Sequence, residues 1–184
     1  GAYSRSGLFT DYSRPFIEMA GKTLGIIGLG AIGAKVAKIG VAFGMKVIYY
    51  STSGTSHNTE YPSVPLERLM RESDVVSVHA PYNERTAGLV GEKELRMMKP
   101  KSIIVNMGRG GIVVEDALAK VIDEGVIGGA GLDVYSTEPI PADHPLLRTR
   151  HPERLSLTPH VAWASIEARE RLIQSIADNI AKGF

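Results

Sequence analysis

Three short segments of the sequence each hold one reactive polar side chain among small and apolar residues. They are residues 106–111 with Arg109, residues 131–139 with Glu138 and residues 158–165 with His160. A guanidinium binds anions, an imidazole transfers protons near neutral pH, and a carboxylate can orient an imidazole. Each segment follows a predicted strand, and open α/β sheets bind ligands beyond the carboxyl ends of their strands. We therefore expect the three segments to face one cleft.

Each of these residues, taken alone, has a simpler interpretation. An arginine after a strand is commonly a surface residue, a glutamate before a proline commonly lies in a solvated loop, and a histidine after a proline commonly belongs to a turn. Asp133 could cap a turn, and Trp163 could line the cleft or simply pack. The combination of the three segments favours chemistry over these alternatives.

A glycine-rich turn, G-L-G-A-I-G at residues 28–33, has the form G-x-G-x-x-G. It follows an apolar strand and opens a helix, which is the context in which this pattern binds a dinucleotide. Gly28 permits the tight turn, Gly30 lets the backbone approach a pyrophosphate, and Gly33 lets helix and strand pack closely. The N–H groups at the start of the helix complement the phosphate charge. The expected contacts are Gly28, Gly30, Ala31, Ile32 and Gly33.

The end of the second predicted strand lacks the acidic residue that usually binds the ribose hydroxyls of NAD. That residue is expected about 20 positions after the glycines, where this chain has Tyr50, Ser51, Thr52 and Ser53. No carboxylate is there to repel a 2′-phosphate and no arginine is there to bind one, although His57 could add positive charge. The sequence favours NADP(H) slightly over NAD(H) and predicts Ser51 and Thr52 as cofactor contacts.

The chain resembles the D-isomer-specific 2-hydroxyacid dehydrogenase family over nearly its whole length. The resemblance depends on G-R-G at residues 108–110, on L-D-V and E-P within residues 132–139, and on T-P-H at residues 158–160, in this order and spacing. Y-S-R-S at residues 3–6 and H-V-A-W-A at residues 160–164 are most similar to the glycerate dehydrogenase/hydroxypyruvate reductase branch.

The resemblance implies hydride transfer between NAD(H) or NADP(H) and the pair formed by a D-2-hydroxy acid and its 2-keto acid, here glycerate and hydroxypyruvate. In this chemistry His160 exchanges the proton of the substrate oxygen, Glu138 bonds the far ring nitrogen, and Arg109 binds the substrate carboxylate. The implied cofactor contacts are Asp133 at the carboxamide end, Pro81 and Thr86 near the adenosine half, and also Asn106, Met107, Gly108 and His160.

The resemblance also implies parts of such an enzyme that lie outside this chain. Members of the family have a substrate domain built from both ends of the polypeptide, and we expect residues 1–184 to be a single dinucleotide-binding domain without it. Because domain closure completes such sites, the domain alone is expected to turn over poorly. A homodimer formed through this domain is expected by analogy.

Apolar runs alternate with helical patterns along the chain. This alternation predicts a Rossmann-type α/β fold, a doubly wound parallel sheet with helices on both faces. The predicted strands are residues 23–27, 46–50, 74–78, 102–106, 128–134 and 155–157. The predicted helices after the one that follows the glycine turn are residues 66–72, 115–124 and 166–180, the last with Leu172, Ile173, Ile176 and Ile180 at helical spacing.

Composition excludes several other classes of protein and site. The net charge of +1 argues against a nucleic-acid binder, and the lack of cysteine excludes disulfides, a thiolate nucleophile and a cysteine zinc site. His57, His79, His144 and His151 lack metal-ligand spacing and are interpreted as ordinary loop or strand-end residues, so no metal is expected. No apolar run approaches the roughly 20 residues that cross a bilayer, so no membrane partner is expected and the protein is predicted to be soluble and cytoplasmic.

Two other functions compete with an oxidoreductase. Corepressors that resemble the same family keep the three polar residues and act by NAD(H)-dependent assembly, which the sequence does not exclude. A structural NAD domain of a hydrolase is the third candidate. The set of Arg109, Glu138 and His160 argues strongly against that one.

Overall fold

Six parallel strands form one sheet in the computed structural model, which describes residues 2–10, 16–55 and 58–183. The strands are β1 (Thr23–Ile27), β2 (Lys46–Tyr50), β3 (Val75–Val78), β4 (Ile103–Asn106), β5 (Gly129–Leu132) and β6 (Leu155–Leu157). The helices are α1 (Ala2–Ser6), α2 (Ala31–Ala42), α3 (Leu66–Glu72), α4 (Glu92–Leu95), α5 (Glu115–Asp123) and α6 (Ile166–Ala181), with 3₁₀ turns at Pro145–Arg148 and Pro152–Arg154. The strand order is β2-β1-β3-β4-β5-β6.

The strands end level with one another along one edge of the sheet. The last residues of the six strands are paired in a single row: Tyr50, Ile27, Val78, Asn106, Leu132 and Leu157. The chain leaves β1 to one side to form β2 and then returns across β1 to form β3, so the strand order reverses at β1. Ligands of doubly wound sheets bind at such a reversal. Because the strand ends are level, every loop that follows a strand starts at this same edge.

Apolar layers cover both faces of the sheet because successive side chains of a strand point to opposite sides. Ile27 of β1 packs in the larger layer with Leu69 of α3 and Leu118 of α5. Its neighbour Ile26 packs in the smaller layer with Ala37 of α2. This arrangement confirms the predicted doubly wound parallel sheet with helices on both faces.

Three of the predicted strands are shorter in the structure than in the prediction. β3 and β4 each begin one residue later than predicted, and β5 covers only Gly129–Leu132 of residues 128–134. Polar side chains at the excluded ends bind other parts of the chain. The carboxylate of Asp74 accepts the N–H of Thr23 at 2.8 Å, and that of Asp133 accepts the N–H of Val161 at 2.9 Å.

The long helix predicted near the end of the chain is present as α6, but its apolar side is exposed. Leu172, Ile173, Ile176 and Ile180 are between 49% and 69% exposed. No residue of α6 is buried by other described residues. The apolar spacing predicted the helix correctly, whereas packing of that side does not occur within the part of the chain that the structure describes.

Candidate active site

The glycine turn between β1 and α2 lines a cavity of about 500 Å³. Gly28 has a φ of 90°, and a Cβ at this position would lie 2.9 Å from the backbone of Ala80. A Cβ on Gly33 would lie 2.4 Å from the carbonyl oxygen of Gly28, so neither position accommodates a larger residue. Gly30 lines the cavity, and a Cβ there would meet only open space beside the first N–H groups of α2. The turn therefore fits a pyrophosphate.

The loop after β2 closes one end of this cavity. Ser51 and Thr52 both line it, as expected of cofactor contacts. The hydroxyl of Ser51 donates to the carbonyl oxygen of Thr55 at 2.5 Å, so its proton is already engaged. The hydroxyl of Thr52 makes no hydrogen bond to any described residue and is available to a ligand. His57, which the sequence suggested as a source of charge, lies outside the described residues.

Pro81 and Thr86 lie in the loop after β3, and only Pro81 lines the cavity. Thr86 is fully buried, and its hydroxyl donates to the carbonyl oxygen of Pro81 at 2.6 Å. The same hydroxyl accepts the N–H of Asn83 at 2.9 Å. Thr86 therefore shapes the loop that presents Pro81, and the structure does not bring its side chain to the cavity.

An arginine does reach the loop after β2, from a segment that lies outside the dinucleotide-binding motif. Nη1 of Arg85, in the loop after β3, donates to the carbonyl oxygen of Ser53 at 2.7 Å across 32 positions of sequence. The sequence signals of a ribose pocket concern the end of β2 itself, and no local pattern predicts this approach.

A second cavity, of about 490 Å³, brings the three predicted catalytic side chains together. Arg109, Glu138 and His160 all line it, with Tyr82 and Ser136 among its other residues. These side chains come from the loops after β4, β5 and β6, which start side by side because the strand ends are level. The expectation that the three segments face one cleft agrees with this geometry.

His160 and Glu138 form a hydrogen-bonded pair that can orient the imidazole. Nδ1 of His160 donates to Oε2 of Glu138 at 2.8 Å, and the N–H of Tyr135 donates to Oε1 at 3.0 Å. The hydrogen bond from His160 and the one from the Tyr135 backbone hold the pKa of Glu138 below its ordinary value. The carboxylate is therefore ionised near neutral pH and fixes the imidazole proton on Nδ1, which leaves Nε2 for proton exchange with a ligand.

Arg109 is exposed and has no carboxylate partner among the described residues. Its Nη1 donates only to the carbonyl oxygen of Gly108 at 2.8 Å. The buried side chain of Asn106 holds this loop, since Nδ2 donates to the carbonyl oxygen of Arg109 at 2.9 Å and Oδ1 accepts the N–H of Gly108 at 3.1 Å. Asn106, predicted as a cofactor contact, thus positions the arginine. Met107 and Gly108 line a small cavity with Ile32 beside the glycine turn.

The loop of Arg109 touches the loop of Glu138 because Gly110 has no side chain. A Cβ on Gly110 would lie 1.8 Å from the carbonyl carbon of Tyr135, a contact that only movement of one backbone could relieve. The sequence shows the two glycines that flank Arg109. Only the structure shows that the second glycine allows the two loops to share one cavity.

A buried carboxylate behind the cavity supports the segment that carries Glu138. The carboxylate of Glu115 accepts the N–H of Ser136 at 2.6 Å and its hydroxyl at 2.8 Å. The same carboxylate accepts a hydrogen bond from the Nε2–H of His144 at 2.8 Å. The Nδ1 atom of that ring accepts the N–H of Leu146. The interpretation of His144 as an ordinary loop histidine was wrong, because its largely buried ring is a partner of this carboxylate.

Asp133 holds the backbone on the far side of His160. It is 2% exposed, and its carboxylate accepts the hydroxyl of Thr158 at 2.6 Å and the N–H groups of Val161 at 2.9 Å and Ala162 at 2.8 Å. Burial by itself raises the pKa of this carboxyl, but the Thr158 hydroxyl and the two N–H groups outweigh burial and lower the pKa. His160 has a φ of 53°, a left-handed conformation that side chains disfavour and that surrounding bonds must maintain. Asp133 provides those bonds, so its side chain is committed within the domain.

Replacing Asp133 by asparagine is expected to lower the free energy of unfolding by about 2 kcal/mol near neutral pH, because one amide hydrogen would face a buried backbone donor. A carboxyl with a lowered pKa stabilises the fold above its unfolded pKa of about 3.9 and loses this effect as the pH falls through the folded value. The difference in the free energy of unfolding between the wild type and Asp133→Asn should therefore shrink below about pH 4. Urea unfolding of both proteins at several pH values measures this difference. The exposed Asp143→Asn is the control, and an equal loss in that variant would contradict the assignment.

The histidines and acidic residues that the structure describes provide no candidate metal site. Nowhere within the described ranges do three His, Cys, Asp or Glu side chains come together so as to hold a metal ion. Nε2 of His79 pairs with the Ser77 hydroxyl at 2.8 Å, and burial lowers the pKa of this imidazole. His151 pairs with the exposed Glu153. In the part of the chain that the structure covers, no helix has the length and apolar content to cross a membrane.

The chain matches a model of the D-isomer specific 2-hydroxyacid dehydrogenase family, NAD binding domain, over residues 2–162. It is 46% identical over 168 residues to a glyoxylate reductase of Korarchaeum cryptofilum, a match that covers 89% of this chain and 49% of that protein. It is 39% identical over 183 residues to a glycerate dehydrogenase of Methylorubrum extorquens, covering 98% of this chain and 55% of the relative. The chain thus spans about half the length of these relatives.

A solved structure with a bound cofactor is also similar. The acyclic imino acid reductase Bsp5, in complex with NADPH and D-Arg, has a TM-score of 0.82 and 37% identity. The similarity covers 98% of this chain and 58% of that one. The described cavities therefore belong to a domain type that binds nicotinamide dinucleotides.

Proposed function

The chain belongs to the D-isomer specific 2-hydroxyacid dehydrogenase family as its NAD-binding domain, and from this we propose that the protein containing it interconverts a D-2-hydroxy acid and its 2-keto acid. Glycerate and hydroxypyruvate are the proposed pair, with glyoxylate as the neighbouring substrate. The observation that supports the proposal best is the His160–Glu138 hydrogen bond in the same cavity as the guanidinium of Arg109, which has no carboxylate partner among the described residues.

Each protein group has a defined task in the proposed reaction. Arg109 binds the carboxylate of the keto acid and polarises the adjacent carbonyl. The bound dinucleotide supplies the hydride that the carbonyl carbon receives. His160, protonated on both nitrogens, gives the Nε2 proton to the carbonyl oxygen and is left neutral with its remaining proton on Nδ1. The Glu138 carboxylate stabilises the charged imidazole before that transfer and holds the ring in place throughout. The reverse reaction returns the proton to Nε2.

The glycine turn is the proposed pyrophosphate site. Gly28, Gly30, Ala31, Ile32 and Gly33 would surround the phosphates, and Met107 and Gly108 line the neighbouring cavity on the side toward Arg109. Asp133, predicted as a carboxamide contact, would act through the backbone after His160 that it holds. We place the nicotinamide between that neighbouring cavity and His160. The remaining predicted contacts, Asn106 and Thr86, would act through the loops that they hold.

The organisation of the whole protein is proposed by analogy with the family. Residues 1–184 would form one dinucleotide-binding domain, and a substrate domain from other parts of the polypeptide would close over Arg109 and His160. Closure would exclude water and complete the site. We further propose a homodimer and a cytoplasmic location, with which the lack of cysteine is compatible.

The test of the proposed function is a panel of initial rates measured with the complete polypeptide. Hydroxypyruvate, glyoxylate and pyruvate are each assayed with NADH and with NADPH. We expect kcat/KM for hydroxypyruvate to exceed that for pyruvate by at least about tenfold, because a site that binds a substrate hydroxyl rejects the analogue that lacks it. Turnover of none of the three acids, with cofactor still bound, would contradict the proposal and favour a corepressor-like assembly protein.

A further inference from the structure

We propose that Arg85 and Thr52 form a binding site for the 2′-phosphate of NADP(H), so that this domain prefers NADP(H) to NAD(H). The inference deepens the proposed function, because it concerns the adenosine end of the same dinucleotide. It depends on a juxtaposition that no sequence motif predicts, between the loop after β2 and the loop after β3.

Two cavities meet at this point of the fold. The inner one, beside the glycine turn, and an outer one of about 570 Å³ share Thr52, Ser53 and Pro81 as lining residues. The inner cavity begins at the pyrophosphate-binding turn, so an adenosine that extends from that turn along the loop after β2 reaches the shared wall. Arg85 lines the outer cavity on the other side of that wall.

The guanidinium of Arg85 is held at the wall without being neutralised. Its Nη1 donates to the carbonyl oxygen of Ser53 at 2.7 Å, and among the described residues it forms no ion pair with a carboxylate. The backbone N–H of Arg85 donates to Oδ1 of Asn83 at 2.9 Å, and the Thr86 hydroxyl ties the same loop to Pro81. Most of the guanidinium hydrogens therefore stay free, on a side chain whose base is fixed.

The hydroxyls of the loop after β2 are not equivalent. Ser51 and Ser53 both donate to the carbonyl oxygen of Thr55, at 2.5 and 3.0 Å. Thr52 lines both cavities, and its hydroxyl has no partner in the part of the chain that the structure describes. Thr52 and Arg85 thus both have side-chain hydrogens to donate to a new anion at this wall.

The charges around the wall favour a phosphate over a ribose hydroxyl. Among the described residues that line the inner cavity there is no Asp or Glu, and the histidine there, His79, has its pKa lowered by burial. Glu84 lines the outer cavity beside Arg85 but makes no ion pair with it. An uncompensated guanidinium next to a free hydroxyl is the combination that binds phosphate, whereas recognition of NAD depends on a carboxylate at this place.

Titration calorimetry of the complete polypeptide with NADPH and with NADH tests this site without any need for catalysis. The wild-type protein should bind NADPH more tightly, and added salt should weaken NADPH binding more than NADH binding. Arg85→Ala should weaken NADPH binding roughly 10- to 100-fold, the loss expected for one charged hydrogen-bonded partner, with little change for NADH. Competition by 2′,5′-ADP against 5′-AMP isolates the phosphate in the same way.

Three further variants make the result decisive. Thr52→Val should weaken NADPH binding selectively, Glu84→Gln should strengthen it, and Arg148→Ala, an exposed arginine outside both cavities, should change neither affinity. Equal weakening of both dinucleotides by Arg85→Ala, or tighter binding of NADH than NADPH by the wild type, would overturn the 2′-phosphate site while leaving the proposed function intact. Binding of neither dinucleotide would instead contradict the proposed function itself.

Discussion

Replacing His160 with alanine is expected to lower kcat of the complete enzyme by about two to four powers of ten, the usual contribution of a general acid and base. The Nδ1–H of His160 is committed to Glu138 at 2.8 Å, so Nε2 is the nitrogen left to exchange the substrate proton in the proposed reaction. Removal of the ring removes the proton donor for the substrate oxygen and leaves the Glu138 carboxylate without its hydrogen-bond partner. The measurement is the rate of change of reduced-nicotinamide absorbance at saturating substrate and cofactor.

The matched control for this variant is His151→Ala. His151 pairs with the exposed Glu153 at 3.1 Å and does not line the catalytic cavity. Its replacement should leave kcat unchanged. A His160→Ala enzyme with the same unfolding midpoint and the wild-type rate would remove His160 from the acid–base role and, with it, the main support for the proposed reaction.

Replacing Arg109 with methionine is expected to lower kcat/KM by about 10²- to 10³-fold, the loss measured when one group that stabilises developing charge is removed. Arg109 is exposed to the cavity and bonds only to the Gly108 carbonyl, so its remaining donors are free for a carboxylate. Both kcat and KM should change, because the guanidinium would bind the carboxylate of the substrate and also polarise its carbonyl in the transition state. Initial rates over a range of keto acid concentrations separate the two constants.

Arg109→Lys provides an internal comparison. Lysine keeps one positive charge but lacks the planar pair of donors that matches a carboxylate, so its kcat/KM should lie between those of the wild type and Arg109→Met. Arg148→Met, outside the cavity, should behave as the wild type. If Arg109→Met retained the wild-type kcat/KM, substrate binding would have to depend on another residue.

Local patterns in the sequence were sufficient to predict most of the fold. Short apolar runs of three to seven residues predicted the strands, and β1, β2 and β6 begin and end where the pattern placed them. The glycines at 28 and 33 were predicted for the tight turn and for close helix–strand packing, which are properties of one strand–turn–helix unit. The close approach of Gly28 to the backbone of Ala80, in the loop after β3, is visible only in the structure. Predictions were less accurate where a side chain binds a distant part of the chain, as at Asp133 beyond β5.

The sequence by itself determined which chemical groups this protein has, since strands, the glycine turn and the residue types at strand ends follow from the preferences of adjacent residues. Tertiary structure alone decided which of these groups meet. The pairing of Glu138 with His160 spans 22 positions and the approach of Arg85 to Ser53 spans 32. Such contacts arise because the level ends of parallel strands place successive loops side by side, and sheet register depends on the packing of the whole domain.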